Sequence, residues 1–261
     1  MAEEARRRGV AVVALGIPGV TDPALESVAG GLRWFKLGQL DAPIKAFKDA
    51  GVRRVVMAGK VQHVSIFGGV IPDWRGTKLL LSLKDKRTDT VLKAVADEFA
   101  KDGLELVSSA TFLEHLLAPE GPLTRGRFSK EQLADAALGW RAAKALAGFD
   151  IGQTVVSQDG AVVAVEGMEG TDACVARASE LARSQGREPS LVVVKVAKPR
   201  QDFRFDLPVV GLDSLAAFRA AGVKALALEA GATLVFDRDR FTAEADNGGV
   251  AVAGFGAGGP S

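Results

Sequence analysis

Cysteine is all but absent: Cys174 is the only one in 261 residues, so neither an internal disulfide nor a cysteine zinc cluster can be built. It falls in a helical run, where a small buried apolar role is expected, and a lone thiol fits a reducing compartment. Net charge is missing too. Thirty-three basic residues stand against 32 acidic ones, so no bulk field draws the chain to nucleic acid or to an acidic membrane surface. Any anion must be held by a local site. No apolar run approaches the roughly 18 to 20 residues that span a bilayer, and the opening MAEEARRRG is too charged for a signal peptide. The expectation is a cytoplasmic protein; if its substrate is a lipid, contact must come through a groove or a surface patch, as a transient contact with the inner membrane face.

The signatures of several large enzyme classes are lacking as well. There is no Gly-Lys-Ser/Thr phosphate loop and no G-x-S-x-G elbow. The two histidines, His63 and His115, have no partner at ligand or triad spacing. GFGAGG (254–259) has the letters of a dinucleotide fingerprint behind a strand, but no helix follows to hold a pyrophosphate at its N-terminus, which argues against a nicotinamide-dependent oxidoreductase.

Hydrophobic residues make up 48% of the chain, ample for a buried core. From residue 10 to about 117 the pattern alternates: strands over 10–15, 32–37, 53–58 and 104–107, helices over 43–50, 76–84, 88–102 and 110–117. That rhythm predicts an N-terminal Rossmann-like parallel sheet over 1–125, with ligands at the carboxyl ends of its strands. MAEEARRRGV reads as the second half of a helix feeding the first strand, so the first strand of that sheet is expected to be missing. APEGPLTRGRFSK (118–130) breaks the pattern, and 126–149 is expected to be a linker with a connecting helix. The remainder, 150–261, reads as a mixed α/β domain that opens with a hairpin, because Gln158-Asp159-Gly160 joins two β-rich runs. The glycine-rich end reads as a frayed tail.

Three words carry candidate chemistry. Met57-Ala58-Gly59-Lys60-Val61 would set backbone N–H groups and one ammonium at a strand's carboxyl end, where phosphate binds; an ordinary turn with an exposed lysine reads the same. Glu169-Gly170-Thr171-Asp172 opens a helix, with Thr171 as its cap and Gly170 allowing close approach of an anion or a metal-bound phosphate. The densest word runs from Lys195 through Lys198, Arg200, Asp202, Arg204 and Asp206 to Pro208, right after a strand. Its cations suit a pyrophosphate and its carboxylates suit a divalent metal or an attacking water. Alternation predicts an extended segment with Arg204 and Asp206 on one face and Phe205 on the other. A solvated loop with edge charges is the plainer reading.

Taken in order, MAGKV (57–61), DIGQTVV (150–156), VVAVEGMEGTDA (162–173) and VVKVAKPRQDFRFDLPVVG (193–211) resemble the LpxI-type UDP-2,3-diacylglucosamine pyrophosphatases of the lipid A pathway, and DEFAKDGLEL (97–106) fits the same pattern. The resemblance spans nearly the whole chain. It implies a two-domain hydrolase with the ligand cleft between its domains, acting on a lipid-linked UDP-sugar and releasing UMP and lipid X, with Mg2+ or another divalent cation as cofactor. The essential aspartate of the family's Asp-Leu-Pro word falls on Asp206. It would bind the metal, activate the water, or do both, with Asp172 as a second metal ligand. Lys195, Lys198 and Arg204 would face the pyrophosphate. Gln153, Gly170, Thr171 and Asp172 would meet sugar, phosphate or metal, with Gly59, Lys60 and Asp89 contributed by the first domain. A non-catalytic carrier of an acylated sugar nucleotide would present the same groups. The apolar run Val64, Ile66, Phe67, Val70, Ile71 and Trp74 is expected to form core or a homodimer seam, or else to cradle acyl chains.

Overall fold

A computed structural model of the chain describes residues 1–59, 72–83, 88–199 and 202–260, with the side chains of Thr88 and Asp89 left out. The chain divides into two units, Met1–Leu113 with Phe203–Phe205, and Glu114–Asp202 with Asp206–Ser261.

The first unit contains α1 (Ala2–Arg7), β1 (Ala14–Gly16), α2 (Leu25–Ala29), β2 (Leu32–Trp34), α3 (Asp41–Asp49), β3 (Arg54–Val55), α4 (Trp74–Ser82), α5 (Thr88–Lys101) and β4 (Glu105–Leu106). One carboxylate starts two of these helices. Asp73 accepts from Gly76 N–H at 2.8 Å to cap α4, and its other oxygen accepts from Leu40 N–H at 2.7 Å and Asp41 N–H at 2.8 Å at the head of α3. Ile44 and Phe47 of α3, Leu79 of α4, Phe99 of α5 and Val55 and Leu106 of the strands form one core, and Phe205 packs against it.

The expected single Rossmann-like sheet is not what the described residues form. β1 pairs with β2 and β3 with β4, both in parallel, as two separate two-stranded sheets. Register matching stops after two or three residues, so the apolar runs outlast their ladders. The helix expected over 110–117 is likewise absent: Phe112 takes a left-handed φ of 67°, which interrupts a helix, and only a 3-10 turn, Glu114–Leu116, follows.

The second unit is built on a six-stranded mixed sheet. Its elements are β5 (Gly121–Pro122), α6 (Lys130–Gly148), β6 (Thr154–Gln158), β7 (Ala161–Val165), α7 (Thr171–Ser184), β8 (Leu191–Lys195), β9 (Val209–Val210), α8 (Leu212–Ala220), β10 (Val223–Glu229), β11 (Leu234–Val235), α9 (Arg238–Asn247) and β12 (Ala251–Phe255). Strand order is β5-β12-β10-β8-β6-β7, while β9 and β11 pair separately. β8, β10 and β12 run parallel, β6 runs against β8, and β7 returns against β6. The hairpin turn has Asp159 at φ 53° and Gly160 at φ 77°, the pair of positive values that a two-residue turn of matching twist requires.

Period-two alternation supplies both faces of this sheet. Val193, Leu226 and Leu228 point into a core with Val175, Leu215, Phe218 and Phe241 of α7, α8 and α9. Val192, Val194, Ala225 and Ala227 point the other way, onto Ala136, Trp140, Ala143 and Ala147 of α6. α6 lies close because Gly139 has no side chain: a Cβ there would sit 2.9 Å from Val194 Cγ2. Where the composition suggests a linker and a connecting helix, the chain is therefore already inside the second unit. β5 pairs with β12, and α6, started by a Ser129–Gln132 capping box, covers one sheet face. The glycine-rich end is folded rather than frayed, with Pro260 buried and Gly259 close against the Trp140 ring.

Candidate functional site

Sheet direction collects polar groups at one edge of the second unit. β8 ends there at Lys195 and β10 at Glu229; β7 ends just before Glu166; antiparallel β6 begins there at Thr154, directly after Gln153; and α7 opens there at Thr171. In sheets of this kind ligands gather at the strand carboxyl ends.

Lys195 is only 4% exposed, and its Nζ donates to Thr171 Oγ1 at 2.6 Å. An ammonium has donors only, so the Thr171 hydroxyl must accept there and give its own proton onward. Glu166 Oε1 takes it at 2.9 Å, and Thr154 Oγ1 lies 3.3 Å from the same hydroxyl. The other Glu166 oxygen accepts from Gln153 N–H at 3.3 Å, and Glu166 N–H donates to Thr154 O at 2.9 Å. Gly152 is needed beside this knot: it has a φ of 155°, and a Cβ would fall 2.2 Å from the Glu166 carbonyl oxygen. The next turn is tied down by Glu169, which accepts from Arg177 at 2.6 Å and from Gly167 N–H at 3.0 Å. The Arg177 hydrogen bond holds the Glu169 carboxyl below the usual range.

Three residues singled out from sequence, Gln153, Thr171 and Lys195, thus meet through Glu166, which the sequence reading passed over. Its signal was a carboxylate placed between a strand end and a helix-opening threonine. Thr171 is not the cap expected of it. The N-cap is Gly170, at φ 85°, and no side chain caps α7, so its first N–H groups stay available to an anion. Asp172 is exposed in that first turn. The Gln153 side-chain oxygen is buried with no hydrogen-bond partner among the described residues, a standing invitation to a donor.

A second cluster, also unseen in the sequence, grips the segment after β8. Lys144 Nζ donates to both Glu229 carboxylate oxygens, at 2.7 and 2.6 Å, and to Ala197 O at 3.0 Å, while Ala197 N–H donates to Glu229 at 2.7 Å. Both backbone groups of Ala197 are thereby held by one ion pair. The next residue, Lys198, is ion-paired with Asp150.

The Arg204–Asp206 stretch departs from its expected extended form. Phe203, Arg204 and Phe205 make a turn, Asp206 N–H points back to Asp202 O at 3.4 Å, and the Arg204 guanidinium lies 4.9 Å over the Phe205 ring instead of on the opposite face. Asp206 itself is half-buried. In the first unit Gly59 takes φ 96° just past β3. Lys60 and the run Val64 to Ile71 lie outside the described residues, as does the side chain of Asp89; Trp74 is 71% exposed. Burial pushes the Cys174 thiol up to about 11, consistent with a structural role for it. No described helix is long and apolar enough to cross a membrane.

Residues 1–116 match the LpxI N-terminal domain and residues 119–253 the LpxI C-terminal domain. A relative from Caulobacter vibrioides, the UDP-2,3-diacylglucosamine pyrophosphatase LpxI, is 32% identical over 260 residues, an overlap covering 97% of this chain and 92% of that one.

Proposed function

Since the chain belongs to the LpxI family, we propose that it hydrolyses UDP-2,3-diacylglucosamine at its pyrophosphate, releasing UMP and lipid X at the cytoplasmic face of the membrane, with Asp206 as the catalytic carboxylate. The observation that carries this reading is the buried Lys195 ammonium, fixed by Thr171 and Glu166 beside the uncapped start of α7. Positive charge and backbone donors held in advance at a water-poor strand edge suit a phosphate group whose charge grows during attack.

Among the described residues no three His, Cys, Asp or Glu side chains form a ready-made metal cage. Magnesium does not call for one, because it keeps several waters and is commonly bound by one or two carboxylates together with substrate phosphates. Asp206 and Asp172 are the two carboxylates that would hold it. When bound, the ion would neutralise phosphate oxygens and acidify a coordinated water. Lys195, Lys198 and Arg204 balance the pyrophosphate, the first N–H groups of α7 bind a phosphate oxygen, and Gln153 Oε1 accepts from a sugar hydroxyl or amide. Asp206 orients the attacking water. The water oxygen bonds to the α-phosphorus as its proton passes to the Asp206 carboxylate, and the bond from that phosphorus to the bridging oxygen breaks, that oxygen leaving with the acylated sugar phosphate.

The test is UMP release from UDP-2,3-diacylglucosamine by the parent and by Asp206→Ala, each with and without a chelator. The parent should release UMP, the chelator should stop it, and the variant should be slower by roughly a thousandfold or more. Equal rates in parent and variant would remove Asp206 from the chemistry. Tight binding without turnover in both would establish a carrier instead.

A further inference from the structure

Residues Phe203–Phe205 belong to the first unit although the sequence on either side belongs to the second. Ser109 is the residue that grips them. Its N–H donates to Phe203 O at 2.7 Å, and its hydroxyl lies 2.9 Å from Arg204 O and 2.9 Å from Met57 O, so a single proton is shared between two carbonyls. Ser109 stands just past β4, whose ladder with β3 is extended by Val107 N–H to Val55 O at 2.9 Å. The carboxyl end of that strand pair is therefore where the segment docks, and Phe205 anchors it in the apolar core beneath.

We propose that Ser109 is a positioning residue for the reaction, fixing the short loop that presents Arg204 and leads directly into Asp206. The inference rests on the role given to Asp206 above. Two consecutive carbonyls, of Phe203 and Arg204, are held by one residue, and the loop closes on itself through Asp206 N–H and Asp202 O. Asp206 follows Arg204 by two residues, each spanning about 3.8 Å of backbone, so a released loop lets its carboxylate wander by more than the tolerance of a reacting site. Misplacement by about 1 Å already costs on the order of a hundredfold. Losing the hydroxyl while the Phe203 bond stays in place removes part of that restraint.

Ser109→Ala deletes the hydroxyl and Ser109→Thr keeps it. For Ser109→Ala the expected outcome is a fall in kcat of about tenfold, with KM for UDP-2,3-diacylglucosamine rising by no more than about threefold, since of the three cations only Arg204 lies on the loosened loop while Lys195 and Lys198 keep their places. Hydrogen exchange of the amides over 203–206 should quicken in Ser109→Ala, with the β8 and β10 amides unchanged, and both kcat and exchange should return towards the parent in Ser109→Thr. A merely structural serine would lower the melting temperature and the active fraction, leaving the kcat of the folded enzyme and the local exchange pattern alone; that result would overturn the proposal. So would parent-like exchange at 203–206 in Ser109→Ala. A parent protein that releases no UMP at all would overturn the reaction reading instead, while the exchange measurement still decides whether Ser109 holds the loop.

Discussion

Thr171→Val asks how much the knot at the strand edge contributes to the second unit. The change swaps a hydroxyl for a methyl of nearly the same shape, so packing is kept while three hydrogen bonds go, a 3.3 Å one with Thr154 and two with charged groups that matter most: the 2.6 Å bond from Lys195 and the 2.9 Å bond to Glu166. Bonds to charged groups contribute about 1.5 to 3 kcal/mol each. Glu166 is half-buried and recovers most of its loss from solvent, whereas Lys195 is only 4% exposed and cannot. Lys195 has further interactions of its own, which keep the cost below the roughly 3 to 5 kcal/mol of a buried charge stripped of its partner. The expected loss is therefore about 2 to 3 kcal/mol, read as a lower urea midpoint at unchanged slope. A double-mutant cycle of Glu166→Ala and Lys195→Met should give a coupling of about 1 kcal/mol that vanishes once Thr171→Val is also present, because the hydroxyl is the bridge. A stability change under about 0.5 kcal/mol, or a coupling that survives loss of the hydroxyl, would refute the reasoning.

Two further outcomes follow from the same unit. Gly152→Ala should destabilise it severely, as judged by thermal melting and soluble yield, because the new Cβ would meet the Glu166 backbone oxygen at 2.2 Å and a flexible side chain cannot yield on its behalf; a melting temperature within a few degrees of the parent would count against the close approach. Cys174 keeps its proton in the fold up to about pH 11 while the unfolded chain loses it near pH 9, so this group's contribution is complete below pH 9 and declines by about 3 kcal/mol in all as pH rises to about 11. Cys174→Ala should flatten that alkaline slope in equilibrium unfolding.

Some of this was legible in the sequence for identifiable reasons. The hairpin could be read because Asp159-Gly160 is a local code, and Gln153, Thr171 and Lys195 could be picked out because each sits where a strand or helix begins or ends. Glu166 joins them only through the order of β6, β7 and β8 across the sheet, which no local pattern carries. The Lys144–Glu229 pair lies 85 residues apart in the chain, and nothing in either neighbourhood announces the other. The Arg204–Asp206 alternation misled because three residues are too few to separate a strand from a turn; carbonyls that find a donor on Ser109 decide it. In the first unit the apolar runs located the strands but not the point at which their ladders stop.

The six-stranded sheet has two unlike borders. On one side β5 is two residues long and ends in Pro122, whose nitrogen, facing away from β12 by the alternation of the ladder, has no proton to offer an incoming strand. On the other side β7 runs for five residues, Ala161–Val165, with Val162 38% exposed. Among the described strands the border that could be extended is thus β7, and lysine or proline placed on its outward positions would be expected to discourage any such extension.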